Sequence, residues 1–169
     1  MLIDGDGPYG DGPYDDGPYE IELRTLLAQD TAVVRRGITP VELTSWAAGV
    51  FGVIVTHLQR IGVPVAGDPF VRYLERGAHL EVEAGLPVTD RITPKDEVRP
   101  SSLPDGSAVS TWHHGHPADL DDAFEAIDAW LERQAAEAVG APWVIHHPDP
   151  EADPGAPSWM SEVVQPYRE

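Results

Sequence analysis

Two segments of this chain carry a helical hydrophobic period, and each follows an alternating apolar run and precedes two more. That repeated order constrains the fold more than any other feature. The first helix opens at Thr39-Pro40-Val41-Glu42, a capping-box spacing with Pro at the first helical position. Its apolar stripe runs Leu43, Trp46 or Ala47, Val50, Ile54, Leu58 and Ile61, and Gly62 supplies the stop. The second helix is expected to start near Asp119 or Asp122 and to end at Gly140, with Leu120, Phe124, Ile127, Trp130 or Leu131 and Ala135 inward.

The intervening runs read as strands. Residues 21–36 hold one or two, joined near Gln29-Asp30, and 70–76 with 79–84 form a hairpin across Gly77. Residues 107–114, 142–146 and 159–165 supply the remainder, and the Pro-, Ser- and Asp-rich stretch 85–106 reads as a connector between modules. The expected fold is α+β: strand–helix–strand–strand modules at about 21–88 and 105–167, set side by side. The antiparallel sheet would carry helices on one face and a ligand cleft on the other.

Residues 1–20 stand apart. Asp-Gly-Pro-Tyr recurs at 6–9, 11–14 and 16–19, and no aliphatic residue lies between Ile3 and Ile21. Such a stretch buries too little apolar surface to offset its ordering entropy. It reads as a flexible acidic tail, or as a tyrosine-bearing arm that orders over a pocket or partner.

Charge then removes classes of function. Twenty-nine acidic against 11 basic residues give a net charge of -18, which opposes binding to nucleic acid or an anionic membrane. There is no cysteine, hence no disulfide, thiol nucleophile or Cys-ligated zinc. No apolar run in the sequence reaches the roughly 20 residues of a membrane span, and no signal-peptide pattern opens the chain. A cytoplasmic location is the expectation. No phosphate-binding loop, dinucleotide fingerprint or nucleophile elbow is present, and no cofactor is implied.

The candidate site residues are mostly aromatic. Trp130 falls on the stripe of the second helix and reads as core, whereas Trp46 lies at the edge of the first stripe. Trp112, Trp143 and Trp159 lie on or beside strands, where alternation turns some side chains toward a stacking pocket. Glu162 sits mid-strand in Trp159-Met160-Ser161-Glu162-Val163-Val164, where carboxylates are disfavoured. Alternation groups Glu162 with Met160 and Val164, away from Val163. A carboxylate there attracts a cation or activates a water. His113, His114 and His116, with His146-His147, lie at strand ends without a metal-binding signature, so no metal is expected.

Several stretches together resemble the GyrI-like small-molecule-binding domain, the effector-binding domain of bacterial multidrug-responsive transcription activators. They are the strand ending His113-His114-Gly115, the helix with Ala123-Phe124 and Ile127-Asp128-Ala129-Trp130-Leu131, and the terminal Trp159–Pro166 run. In the first half they are Gly62-Val63-Pro64, Pro69–Tyr73 and Glu83–Val88. The resemblance covers about 21–167 and implies a cleft between the halves, with aromatic walls and an acidic residue that falls on Glu162. Trp46, Tyr73, Trp112, His114, Trp143, Trp159 and Met160 are the accompanying candidates. It implies planar, lipophilic, often cationic ligands held by a stand-alone binding module, since nothing before residue 21 resembles a DNA-binding unit. Some family members resemble hydrolases that open cyclopropane rings with a glutamate and a tyrosine. Where the family often has Gly-Pro-Tyr, this chain has Gly115-His116-Pro117, so Glu162 with Tyr73 is the remaining catalytic pair. A third reading is a protein partner, as in gyrase inhibition, engaged through the acidic surface.

Overall fold

The computed structural model describes residues 15–16, 19–115, 120–147 and 160–169. The elements run β1 (Asp15–Asp16), β2 (Tyr19–Glu20), β3 (Glu22–Leu26), β4 (Gln29–Ile38), α1 (Pro40–Ile61), β5 (Phe70–Glu75), β6 (Leu80–Pro87), β7 (Arg99–Leu103) and β8 (Gly106–His114). They continue with α2 (Asp121–Arg133), β9 (Glu137–Ala138), β10 (Trp143–His147) and β11 (Met160–Arg168). The strand–helix–strand–strand unit is therefore used twice, as β4-α1-β5-β6 and β8-α2-β10-β11.

Nine of these strands form one antiparallel sheet in the order β3-β8-β11-β10-β5-β6-β4-β7, with β9 pairing β11. The modules meet where β10 pairs β5, through Trp143–Arg72, Val144–Val71 and Ile145–Phe70. Outward from that seam the order is mirrored: β11 matches β6, β8 matches β4, and β3 matches β7.

The sheet cannot be flat. β3 and β4 are six strand spacings apart along it, roughly 29 Å if flat, yet two residues join them, a reach of roughly 10 Å. The two-residue link from β7 to β8 imposes the same constraint. The sheet therefore curls into a half-barrel. A small apolar cluster of Val33, Phe70, Leu103, Ala108, Trp143 and Val164, with Leu26 and Ile145, draws on strands from both ends of the order and fills the inside of the curl. Gly85 makes room for it: a Cβ there would lie 2.5 Å from the Ala32 carbonyl oxygen and 3.2 Å from the Phe70 ring. The larger core lies on the outer face, where α1 buries Ala47, Val50, Ile54 and Leu58, and α2 buries Phe124, Ile127, Trp130 and Leu131. Contrary to the sequence reading, which found no apolar run of membrane-spanning length, α1 is long and apolar enough to span a bilayer by length and composition alone. Its buried stripe is taken up by the sheet.

Helix α1 has the expected bounds, with Gly62 in the left-handed conformation (φ 74°) closing it. The Thr39 side chain caps no backbone N–H and instead donates to Glu42 Oε1 at 2.9 Å. Helix α2 stops seven residues short of Gly140, at Arg133. Its end is a Schellman turn in which Ala136 N–H donates to the Leu131 carbonyl and Ala135 N–H to that of Glu132. Ala135 occupies the left-handed position (φ 53°) that a glycine normally takes. Ala135→Gly is expected to stabilise the protein by about 0.5–1 kcal/mol, because the left-handed region strains a Cβ. Thermal melts should show a rise of roughly 1–4 °C.

Three other boundaries differ from the sequence reading. The chain breaks at Leu27-Ala28 rather than Gln29-Asp30, and its two strands go to opposite ends of the sheet. The connector is not structureless: β6 runs on to Pro87, and Arg99–Leu103 zips along β4 as an edge strand, pairing Pro100 with Ala32. Pro and Ser are poor strand formers, but an edge position asks for hydrogen bonds on one side only. Tyr19, which closes the repeat, and Glu20 also join the fold. Tyr19 Oη lies 3.0 Å from His113 Nδ1 with the rings stacked at 6.1 Å, and Thr111 Oγ1 donates to the Glu20 carbonyl at 2.8 Å. The repeat's earlier residues, Asp119, His116-Pro117 and the loop 148–157 lie outside the described residues.

Candidate functional site

A cavity of about 470 Å³ lies on the helix-bearing side, over the seam between the modules. Leu43, Ala47 and Phe51 of α1 form one wall, and Leu120 and Phe124 beside α2 form the other. Val71 and Tyr73 of β5 with His146 and Ser161 of β10 and β11 make the floor. The geometry follows from strand alternation: Val71, Val144 and Val163 belong to the helix-side core, so Tyr73, His146 and Ser161 face the same way. Tyr73 packs edge-to-face on Phe124 at 5.3 Å, and the Arg76 guanidinium sits 4.2 Å from the centre of that ring. Burial pushes the Tyr73 hydroxyl well above its ordinary pKa, with Arg76 opposing the shift and Asp121 adding to it, so it stays protonated at neutral pH. His146 lies 6.1 Å from the Phe51 ring, and burial, aided by neighbouring His147, brings its pKa down to about 4. The floor therefore offers a phenol O–H and a neutral imidazole within largely apolar walls.

Glu162 faces the inside of the curl, opposite Trp112 and Ile145 in the ladder and beside Val164 and Met160, as strand alternation requires. It is 3% exposed. An isolated buried carboxylate would be costly, and Glu162 is not isolated. Its Oε2 is in direct contact with the Arg24 guanidinium of β3, and its Oε1 lies 3.4 Å from His147 Nε2. His147 in turn reaches Asp68 through Nδ1 at 3.0 Å and packs against Trp112 at 4.9 Å between ring centres. His147 also lines the cavity, with Met160 beside it. One imidazole thus separates the cavity from the buried carboxylate.

The other candidates disperse. Tyr73 and Met160 line the cavity, and Glu162 and Trp112 contact it through His147. Trp143, 3% exposed, belongs to the cluster inside the curl, with Arg72 against its ring. Trp46 packs on the helix-side core with Arg36 at 5.9 Å. His114 is exposed, and Trp159 lies outside the described residues. Tyr73 and Glu162 occupy opposite faces of the sheet, so they do not form one acid–base pair. Sequence reasoning missed Phe51, Arg76, Phe124, His146 and His147 as site residues. The adjacent histidines at a strand end were the available signal, since alternation sends one to each face. No group of three or more His, Cys, Asp or Glu placed to hold a metal occurs among the described residues.

No family model matches the chain, and no curated protein matches it significantly. Solved structures do. The C-terminal domain of EcmrR superimposes with a TM-score of 0.78 at 16% identity, covering 90% of this chain and 99% of that domain. Against EcmrR in complex with DNA the TM-score is 0.76 at 16% identity, covering 89% of this chain and 58% of that one. A hydrolase from Listeria innocua gives 0.58 at 14% identity, covering 87% and 91%. SAV2435 bound to tetraphenylphosphonium gives 0.52 at 11% identity, covering 88% and 94%. At these identities the likeness is one of architecture: the chain has the GyrI-like fold that the sequence led us to expect.

Proposed function

We propose that this protein is a binding module for planar, lipophilic aromatic small molecules, cations among them. The observation that carries the reading is the cavity of about 470 Å³ over the module seam. Its volume falls within the roughly 300–1,000 Å³ of drug-sized ligand sites. Leu43, Phe51, Val71 and Phe124 supply apolar and aromatic walls, and a few polar groups converge on the floor. A flat ring system lying between Phe51 and Phe124 gains burial on both faces, and each well-placed aromatic contact adds roughly 0.5–1.5 kcal/mol. Similarity in fold to a protein bound to tetraphenylphosphonium supports a lipophilic ligand. The separation of Tyr73 from Glu162 removes the geometric support for ring-opening hydrolysis by that pair.

Titration with planar dyes tests the reading. Ala48 sits on the cavity rim with its side chain exposed, so Ala48→Trp fills the entrance without burying a misfit in the core. It is expected to weaken dye binding at least about tenfold, or roughly 1.4 kcal/mol, while leaving the melting temperature nearly unchanged. Phe124→Ala should weaken it similarly through loss of a wall. Dye binding that is indifferent to both changes would place the ligand site elsewhere.

A further inference from the structure

We propose that Arg24 sets the charge selectivity of this site, weighting it toward neutral ligands without excluding cations, by pairing with Glu162 on the sheet face away from the cavity. The inference rests on the cavity being the ligand site. Glu162 is the buried carboxylate nearest that space, one imidazole away, and would draw cations strongly if it were unpaired. It is already paired. Arg24 comes from β3, which ends the sheet order and has no further strand beyond it among the described residues. The guanidinium contacts Glu162 Oε2 and lies 3.4 Å from Ser110 Oγ.

The contact replaces the field of a single charge with that of a dipole, which falls off faster with distance. A cationic ligand in the cavity therefore meets a site without net negative charge at Glu162. The charged side chains lining the cavity itself, Arg76 and Asp121, are of opposite sign. The two partners differ sharply in exposure. The Arg24 side chain is 39% exposed, against 4% for Glu162. The arginine is thus the removable half of the pair: it reaches in from the rim on a five-residue edge strand, whereas the carboxylate is fixed mid-strand between two paired neighbours. A guanidinium also presents the same charge that a lipophilic cation would bring. Arg24 is in effect a built-in competitor, and a ligand cation gains Glu162 only after Arg24 leaves.

Nile red, which is neutral, and Nile blue, its cationic relative of nearly the same shape, separate charge from fit. Wild-type protein is expected to bind Nile red at least as tightly as Nile blue. Arg24→Met keeps the apolar stem and removes the charge; it should tighten Nile blue at least about tenfold and change Nile red less than about twofold. Arg24→Gln, which still hydrogen-bonds the carboxylate, should show the same direction and serves if Arg24→Met does not fold. Adding Glu162→Gln to either variant should abolish the gain. Nile blue affinity unchanged in a folded Arg24 variant that still binds Nile red would overturn the inference and leave the binding reading intact. Failure of every variant and of wild type to bind either dye would overturn both.

Discussion

Trp130→Ala is expected to remove about 3–5 kcal/mol of stability, the range for truncating a large buried aromatic. The indole is 3% exposed on α2 and meets the Tyr167 ring edge-on at 5.4 Å. It therefore ties the helix to the last strand of its own module. Neighbours Ile127 and Leu131 are held by the helix backbone and cannot collapse into the space. Trp143→Ala should cost a similar amount, because Trp143 is equally buried, inside the curl rather than in an open cleft. Trp112→Ala should cost clearly less, since that ring is only partly buried. Urea denaturation of the three variants measures the order. A neutral Trp130→Ala would mean that α2 is not anchored through this residue.

Acidification is expected to destabilise the protein through His146. Its pKa is about 4 when folded against an ordinary 6.5, so the unfolded chain binds the proton first. The sign follows directly: the histidine's contribution is complete above pH 6.5, declines as pH falls from there, and is gone below about pH 4. The loss is about 2 kcal/mol by pH 5 and about 3 kcal/mol by pH 4. Denaturant melts at pH 7, 6 and 5 should show this slope in wild type and its reduction in His146→Gln. Identical slopes would mean that the imidazole titrates in the folded protein as it does in water. Protonated His146 would also add a positive charge to the cavity floor and disfavour cationic ligands, so affinity for a cationic dye should fall along with stability.

The sequence by itself determined most of the secondary structure and the use of one unit twice. Helix α1 was legible to the residue because Pro40 and Gly62 mark its ends chemically. The facing of β11 was legible because alternation through Val163, Glu162 and Val164 admits one orientation, although the strand runs on to Arg168. Trp130 was recognisable as core from its place on a helical stripe. Local pattern failed where a non-local partner decided the outcome. β7 is a strand because β4 has an edge to offer, although Pro100 and its two serines argue against one. Helix α2 ends at Arg133 because Glu137–Ala138 pair with Tyr167 and Arg168, a contact no local rule contains. Site residues depended on closure most of all. Sequence alternation could turn Trp143, Trp112 and Glu162 to a common face but could not say that the two-residue links at 27–28 and 104–105 curl that face inward. The curl fills its centre with Trp143 and brings Arg24, 138 residues distant from Glu162 in the chain, onto the carboxylate. Residue type and spacing fix which face a side chain takes, whereas whether that face becomes core, ion pair or cavity is decided by what the folded chain lays against it.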